Sequence, residues 1–156
     1  MNASFPLAPI AIAERTWTTP VSSADFGERL AFTCRHSRYV NQLLKARPEI
    51  ADWLQDQDGL AVQAATMREF LAAQMAGKTQ PFDEDRLKQA LRQLRQRVMA
   101  HLALRDLADG ASLAEIVETM TTLADVTTLF ALDILHDELT TRYGQPRGGD
   151  GQPLHL

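Results

Sequence analysis

Between Asp83 and about Tyr143 the chain carries two long helical patterns, parted only by a short break at Asp109-Gly110. A break of about five residues leaves two successive helices little choice but to fold back as an antiparallel hairpin. In the first pattern, Leu87, Leu91, Leu94, Val98 and Leu102 recur at helical spacing and make one apolar stripe. The second opens on Ser112-x-x-Glu115, a capping box in which the Ser hydroxyl and the Glu carboxylate satisfy free N–H groups of the first turn. Leu113, Ile116, Val117, Met120, Leu123, Ala124, Ala131 and Ile134 share one side of it, while Val126, Leu129, Leu132 and Leu139 line others. A helix apolar on several sides is expected to be packed by several neighbours, so this one is read as the central helix. Gly144 and then Pro146 stop it.

Shorter helices precede the hairpin. Ser22 and Ser23 offer caps, Asp25 suits a first turn, and Phe26, Leu30 and Cys34 mark a buried face. Ser37 caps a second helix with Tyr39, Val40, Leu43 and Leu44 as its apolar side. Pro48 ends that helix and opens a turn running from Glu49 to Leu54, which Gly59 breaks. Leu60 to Met75 reads as a further helix with Met67, Phe70, Leu71 and Met75 inward, stopped by Gly77. No segment alternates as a strand does. The fold expected is all-α: an irregular helical domain over 22–144, built on the long hairpin. A Pro- and Thr-rich extended arm over 1–21 precedes it, and a Gly- and Pro-rich linker over 145–156 follows.

Composition excludes several classes of function. A chain of 156 residues, 45% hydrophobic and 23% charged, makes one ordinary domain. A net charge of -4 argues against binding nucleic acid by overall attraction to phosphate. No apolar stretch approaches the roughly 20 residues needed to span a membrane. The apolar run from Phe5 to Ala13 is broken by Pro6 and Pro9, lacks a basic leader, and reads as an arm rather than an export signal. With Cys34 as the lone cysteine, a reducing cytoplasm is the expected compartment.

Several clusters could carry chemistry. Lys88, Arg92, Arg95, Arg97 and Arg105 make the first long helix basic, which suits an anion or partner site but more simply a solvated face. Arg105 differs, because it falls on the core stripe with Leu94 and Val98. It is expected to pair, partly buried, with Glu115 or Glu118 across the hairpin. His101, on the same stripe, is expected to be a hydrogen-bonded core histidine with Thr119 or Thr122 as partner. Asp133 and His136 share the carboxylate-x-x-His spacing of metal sites in helical bundles, and Asp125 lies toward the same polar side. Such sites need the motif twice, and it occurs once. No phosphate-binding loop or nucleophile motif is present, and the glycines at 148, 149 and 151 follow a helix rather than opening one. The threonines at 119, 121, 122, 127 and 128 are expected to bond back to the preceding turn.

Three stretches together resemble one family. They are Ser37-Arg-Tyr-Val with Leu43-Leu-Lys-Ala-Arg-Pro-Glu49; Leu91-Arg-Gln-Leu-Arg-Gln-Arg-Val-Met-Ala-His-Leu-Ala-Leu-Arg-Asp-Leu-Ala108; and Thr122-Leu-Ala-Asp125 with Ala131-Leu-Asp-Ile-Leu-His136, Arg142-Tyr-Gly-Gln-Pro-Arg147 and Asp150-Gly-Gln-Pro153. In order and spacing they are similar to the helical N-terminal segment of the bacterial bifunctional glutamine synthetase adenylyltransferase/adenylyl-removing enzymes. The resemblance implies that this segment precedes a nucleotidyltransferase domain with a glycine-rich turn and a Ser-Asp-x-Asp motif, whose aspartates hold magnesium. It implies ATP and magnesium for the parent enzyme, and none in this chain. It also implies glutamine synthetase and the PII signalling protein as partners. Neither motif occurs before Leu156, so no catalytic or metal residue of the family can be placed on this sequence. The expectation is an N-terminal helical fragment that supports the catalytic domain and is inactive alone, with an uncovered apolar helix face open to self-association. The alternatives are a stand-alone helical interaction module and a small metal-binding helical protein using Asp133 and His136.

Overall fold

A computed structural model describes residues 25–77, 82–149 and 152. Six helices follow in order: α1 (Phe26–His36), α2 (Arg38–Ala46), α3 (Glu49–Asp56), α4 (Ala64–Met75), α5 (Glu84–Leu107) and α6 (Leu113–Tyr143). No β-strand occurs among the described residues, and the protein is all-α. The expected arm over 1–21, the Ser22 and Ser23 caps, and residues 150, 151 and 153–156 of the expected linker lie outside the described residues.

Local chemistry sets most helix ends. Asp25 is itself the cap of α1 rather than a first-turn residue, its carboxylate accepting from the Glu28 N–H at 2.8 Å. Ser37 serves two helices: its N–H closes α1 on the Thr33 carbonyl at 2.7 Å, and its hydroxyl accepts from the Val40 N–H at 3.2 Å to open α2. Asp83 caps α5 through the Arg86 N–H at 3.0 Å, and Ser112 caps α6 through the Glu115 N–H at 3.2 Å. Gly144, at φ +83, ends α6, in a left-handed conformation that glycine adopts without steric cost. Beyond it, the Gly148 N–H donates to the Gln152 carbonyl at 2.8 Å.

The start of α4 departs from the sequence reading. The helix opens at Ala64 rather than Leu60, and Leu60 is exposed. Gly59 takes φ +74 and Gln63 is extended, so the segment between them runs as an irregular strap. That strap drops Val62 into the core. An apolar residue at each end of a strap resembles a helical stripe when only spacing is read.

The centre of the fold is α5, not α6. α5 packs on α1, α2, α3, α4 and α6, whereas α6 packs on α4 and α5. One side of α5 joins Leu94, Val98 and Leu102 to Met67 and Leu71 of α4 and to Leu123 and Val126 of α6. Its opposite side brings Ala100 against Leu43, Ile50 and Leu54, and Trp53 touches both clusters. Only Thr119, Leu123 and Val126 of α6 are buried. Ile116 and Phe130 pack partly against the core, while Leu113, Val117, Leu132 and Leu139 face outward. An apolar residue shows that a neighbour would be favourable there, not that one is present.

The two long helices should therefore respond differently to truncation. Leu94→Ala removes a fully buried side chain and is expected to cost about 2–5 kcal/mol, while Leu135→Ala on the open side of α6 should stay within about 0.5 kcal/mol. Urea unfolding of both variants checks this, and equal losses would contradict the central place of α5.

Candidate functional site

Five charged side chains form a continuous chain where α5 turns into α6. Arg29, on α1, donates from Nη2 to both carboxylate oxygens of Asp58 at 2.6 Å. Its Nη1 donates to Asp109 Oδ1 at 2.7 Å. The other oxygen of Asp109 accepts from Arg105 Nη1 at 3.2 Å. Arg105 then grips Glu115 through two parallel bonds, Nε to Oε1 at 2.8 Å and Nη2 to Oε2 at 2.9 Å. Such bidentate pairing fits the planar fork of a guanidinium and is the strong form of an ion pair.

The chain is largely withdrawn from water. The Asp109 side chain is 6% exposed, Arg29 11% and Arg105 17%. The ends, Glu115 and Asp58, are wetter at 24% and 32%. Hydrogen bonds to Asp58 and then Asp109 raise the Arg29 pKa, and Glu115 chiefly raises that of Arg105. Arg105 in turn holds the Glu115 carboxyl below its ordinary value.

Arg105 thus meets Glu115, while Glu118, the other candidate, is exposed one turn further along α6. Sequence reasoning missed Arg29, Asp58 and Asp109. Their partners lie 29 and 80 residues apart along the chain, a separation that helical spacing does not register. Arg29 did leave a faint signal, since it sits between the apolar positions Phe26 and Leu30 on a short helix.

His101 is 1% exposed, beside Arg105 and edge-on to Trp53 with ring centroids 6.2 Å apart. The expected bonds to Thr119 or Thr122 do not form; among the described residues neither ring nitrogen meets a well-formed hydrogen-bond partner, the Leu60 backbone being the nearest polar group to act on the ring. Burial, then the charge of Arg105, pushes its pKa down and so favours the neutral ring. Thr119 is buried against the core, and Thr121 and Thr127 bond back to Val117 and Leu123 at 3.0 and 2.7 Å.

The basic helix divides. Arg92 and Arg95 are exposed, and Lys88 pairs with Glu84 at 2.7 Å. Arg97 departs from the expected solvated face. It is 9% exposed, lies 4.6 Å from the centre of the Phe70 ring, and donates to the Gln93 carbonyl at 3.3 Å. Its place three residues after Leu94 and just before Val98 put its stem on the edge of the core stripe, where a long side chain covers apolar surface.

Asp133 is exposed and His136 half-buried on the later part of α6. Among the described residues no group of three or more His, Cys, Asp or Glu side chains could hold a metal ion. No described helix is long and apolar enough to cross a membrane.

The geometry defines an all-α domain whose polar centre is a structural ion-pair chain. A family model for glutamate-ammonia ligase adenylyltransferase matches residues 27–156, and the chain belongs to that family. It is 37% identical over 136 residues to a bifunctional glutamine synthetase adenylyltransferase/adenylyl-removing enzyme of Aromatoleum aromaticum, covering 87% of this chain and 14% of that protein. Enzymes of the same description match from Burkholderia mallei, 40% identical over 121 residues with 78% and 13% covered, and from Nitrosomonas europaea, 38% over 133 with 84% and 14%. The chain therefore spans about one-seventh of the length of these relatives. No solved structure matches it.

Two titrations follow. Arg105→Met should cost about 1–3 kcal/mol, because it leaves the Glu115 carboxylate without its partner. The folded pKa of Glu115 is depressed, so its contribution is complete above the unfolded value of about 4.3 and fades as pH falls through the folded one. The gap between wild type and Arg105→Met, read by urea unfolding, should narrow below about pH 4. A gap that stays constant with pH would remove the role of Glu115. His101 works in a higher window. Its folded pKa is lowered, so the unfolded chain takes up a proton as pH falls below about 6.5 and stability drops. His101→Leu should flatten stability between about pH 6.5 and 5, and an unchanged slope there would show that the ring charges in the folded state.

Proposed function

We propose that this chain is the helical segment which, in the bifunctional glutamine synthetase adenylyltransferase/adenylyl-removing enzymes, precedes and braces a nucleotidyltransferase domain. The observation that carries the reading is the family match from residue 27 onward, which runs through all six helices. Nucleotidyl transfer needs carboxylates that fix metal ions at the reacting phosphate. In this reading those carboxylates, with ATP and magnesium, belong to the parent enzyme's catalytic domain, and the present helices supply a rigid support. Glutamine synthetase is the substrate partner of the parent, the PII protein its regulator, and the cytoplasm its compartment. The uncovered side of α6 also makes self-association part of this reading.

The test is enzymatic. Incubated with adenylylated glutamine synthetase and phosphate, the 156-residue chain is expected to release no AMP, and titration with ATP and magnesium should give no heat. AMP release above background would overturn the assignment. Added in trans to a relative lacking its matched segment, the chain should bind the truncated enzyme. Failure to bind would remove the bracing role.

A further inference from the structure

A groove runs along α5 where α2 lies against it. It consists of two adjoining clefts that share Arg92. One, of about 310 Å³, is lined by Arg47, Asp85, Lys88 and Arg92 among others. The other, of about 300 Å³, is lined by Tyr39, Arg92, Arg95, Gln96 and Met99. From residue 85 to residue 99 the groove follows about 21 Å of α5, at about 1.5 Å per residue. An extended peptide covers that length with about six residues.

The charge of the groove is opposite to that of the chain. Arg47, Lys88, Arg92 and Arg95 stand against Asp85 and against Glu84, which holds Lys88. The whole chain has a net charge of -4. Among the described residues Arg47, Arg92 and Arg95 meet no carboxylate. For Arg92 and Arg95, which are exposed, water suffices. Arg47 is half-buried, and there the lack is unusual. The other described arginines withdrawn from water all have partners: carboxylates for Arg29 and Arg105, backbone carbonyls for Arg86 and Arg97. A second unmet group lies in the next cleft, where Gln96 Oε1 is shut off from water without a hydrogen-bond partner.

The lining selects among anions. Tyr39, 47% exposed, and Met99 give the second cleft an apolar bed beside its two arginines. Inorganic phosphate has no apolar surface to lay there. A run of nucleic-acid phosphates would meet Asp85 at the other end. A peptide offers carboxylates for the guanidinium forks, apolar side chains for Tyr39 and Met99, and backbone N–H groups for an amide such as Gln96, once its last torsion turns. We infer that this groove receives an extended acidic peptide segment of a partner protein, with its carboxylates on Arg47, Arg92 and Arg95 and an apolar side chain between Tyr39 and Met99. The inference stands apart from the bracing role and holds or fails without it.

Fluorescence anisotropy on the full 156-residue chain tests it, with a labelled peptide of about eight residues in which Glu alternates with Leu. Saturable binding that weakens as salt rises is expected. The peptide with Gln in place of every Glu keeps the same leucines and should bind at least about tenfold more weakly. Arg92→Glu combined with Arg95→Glu should weaken the Glu peptide at least about tenfold and leave helical circular dichroism unchanged, since both side chains are exposed. Arg68→Glu combined with Arg142→Glu makes the same charge change at exposed positions of α4 and α6 and should leave binding nearly unchanged. Equal losses in the two double variants would show attraction to net charge alone and overturn the groove. So would an absence of saturable binding, or equal binding of the Gln and Glu peptides. Displacement of the peptide by inorganic phosphate or a single-stranded oligonucleotide at matched ionic strength would make the groove a general anion site and overturn the peptide as its occupant.

Discussion

Asp109 holds the domain's ends together. One of its oxygens is taken by an arginine from the first helix and the other by an arginine from the end of the fifth. Through those two guanidinium groups it is tied to Asp58 in the loop after α3 and to Glu115 at the start of α6. Four parts of the chain are thereby fixed to one side chain. Removed from water, a carboxylate is strongly unfavourable unless paired, so Asp109 favours the one arrangement in which both arginines reach it. Direction, more than net stability, is what such a buried pair contributes. It sets the path of the turn from α5 to α6 and the angle at which α1 crosses them.

That constraint explains why α5 can be central although its sequence is so polar. Lys88, Arg92 and Arg95 stay outside, but Arg97 and Arg105 turn inward because each finds a partner: the face of Phe70 for one, the carboxylates of Asp109 and Glu115 for the other. His101 sits between the arginine chain and Trp53 in surroundings that favour the uncharged ring. Its poorly paired nitrogens are a cost that the packing around it must offset. The centre of this fold is thus a helix whose polar residues have been neutralised or paired, not the most apolar helix in the sequence.

This is also where sequence reading reached its limit. Helix number, most boundaries, the caps at Ser37 and Ser112, and the stops at Gly77 and Gly144 were legible, because they depend on neighbours within four residues. The Arg105–Glu115 pair was legible for a related reason, since a tight turn brings the two flanks of α5 and α6 together. Arg29 and Asp58 were not, because their meeting depends on how α1 packs, which no local spacing encodes. The start of α4 was misread because Leu60 and Val62 look like helix positions until Gly59 is seen at positive φ. The rank of α6 was misread for a deeper reason. Periodicity reports which faces are apolar but not whether this chain covers them.

That last distinction gives α6 its meaning. One side of the helix closes the core through Leu123 and Val126, and the side turned away carries a stripe of equal order. At 1.5 Å per residue α6 is about 46 Å long, and after Val126 none of its residues is fully buried, although Phe130 still packs against the core. A helix with this much apolar surface uncovered, Leu113, Val117, Leu129 and Leu139 being more than half exposed, is suited to contact with something outside the described domain. The ion-pair chain at Asp109 anchors its first turn and so fixes the direction in which that second face is presented.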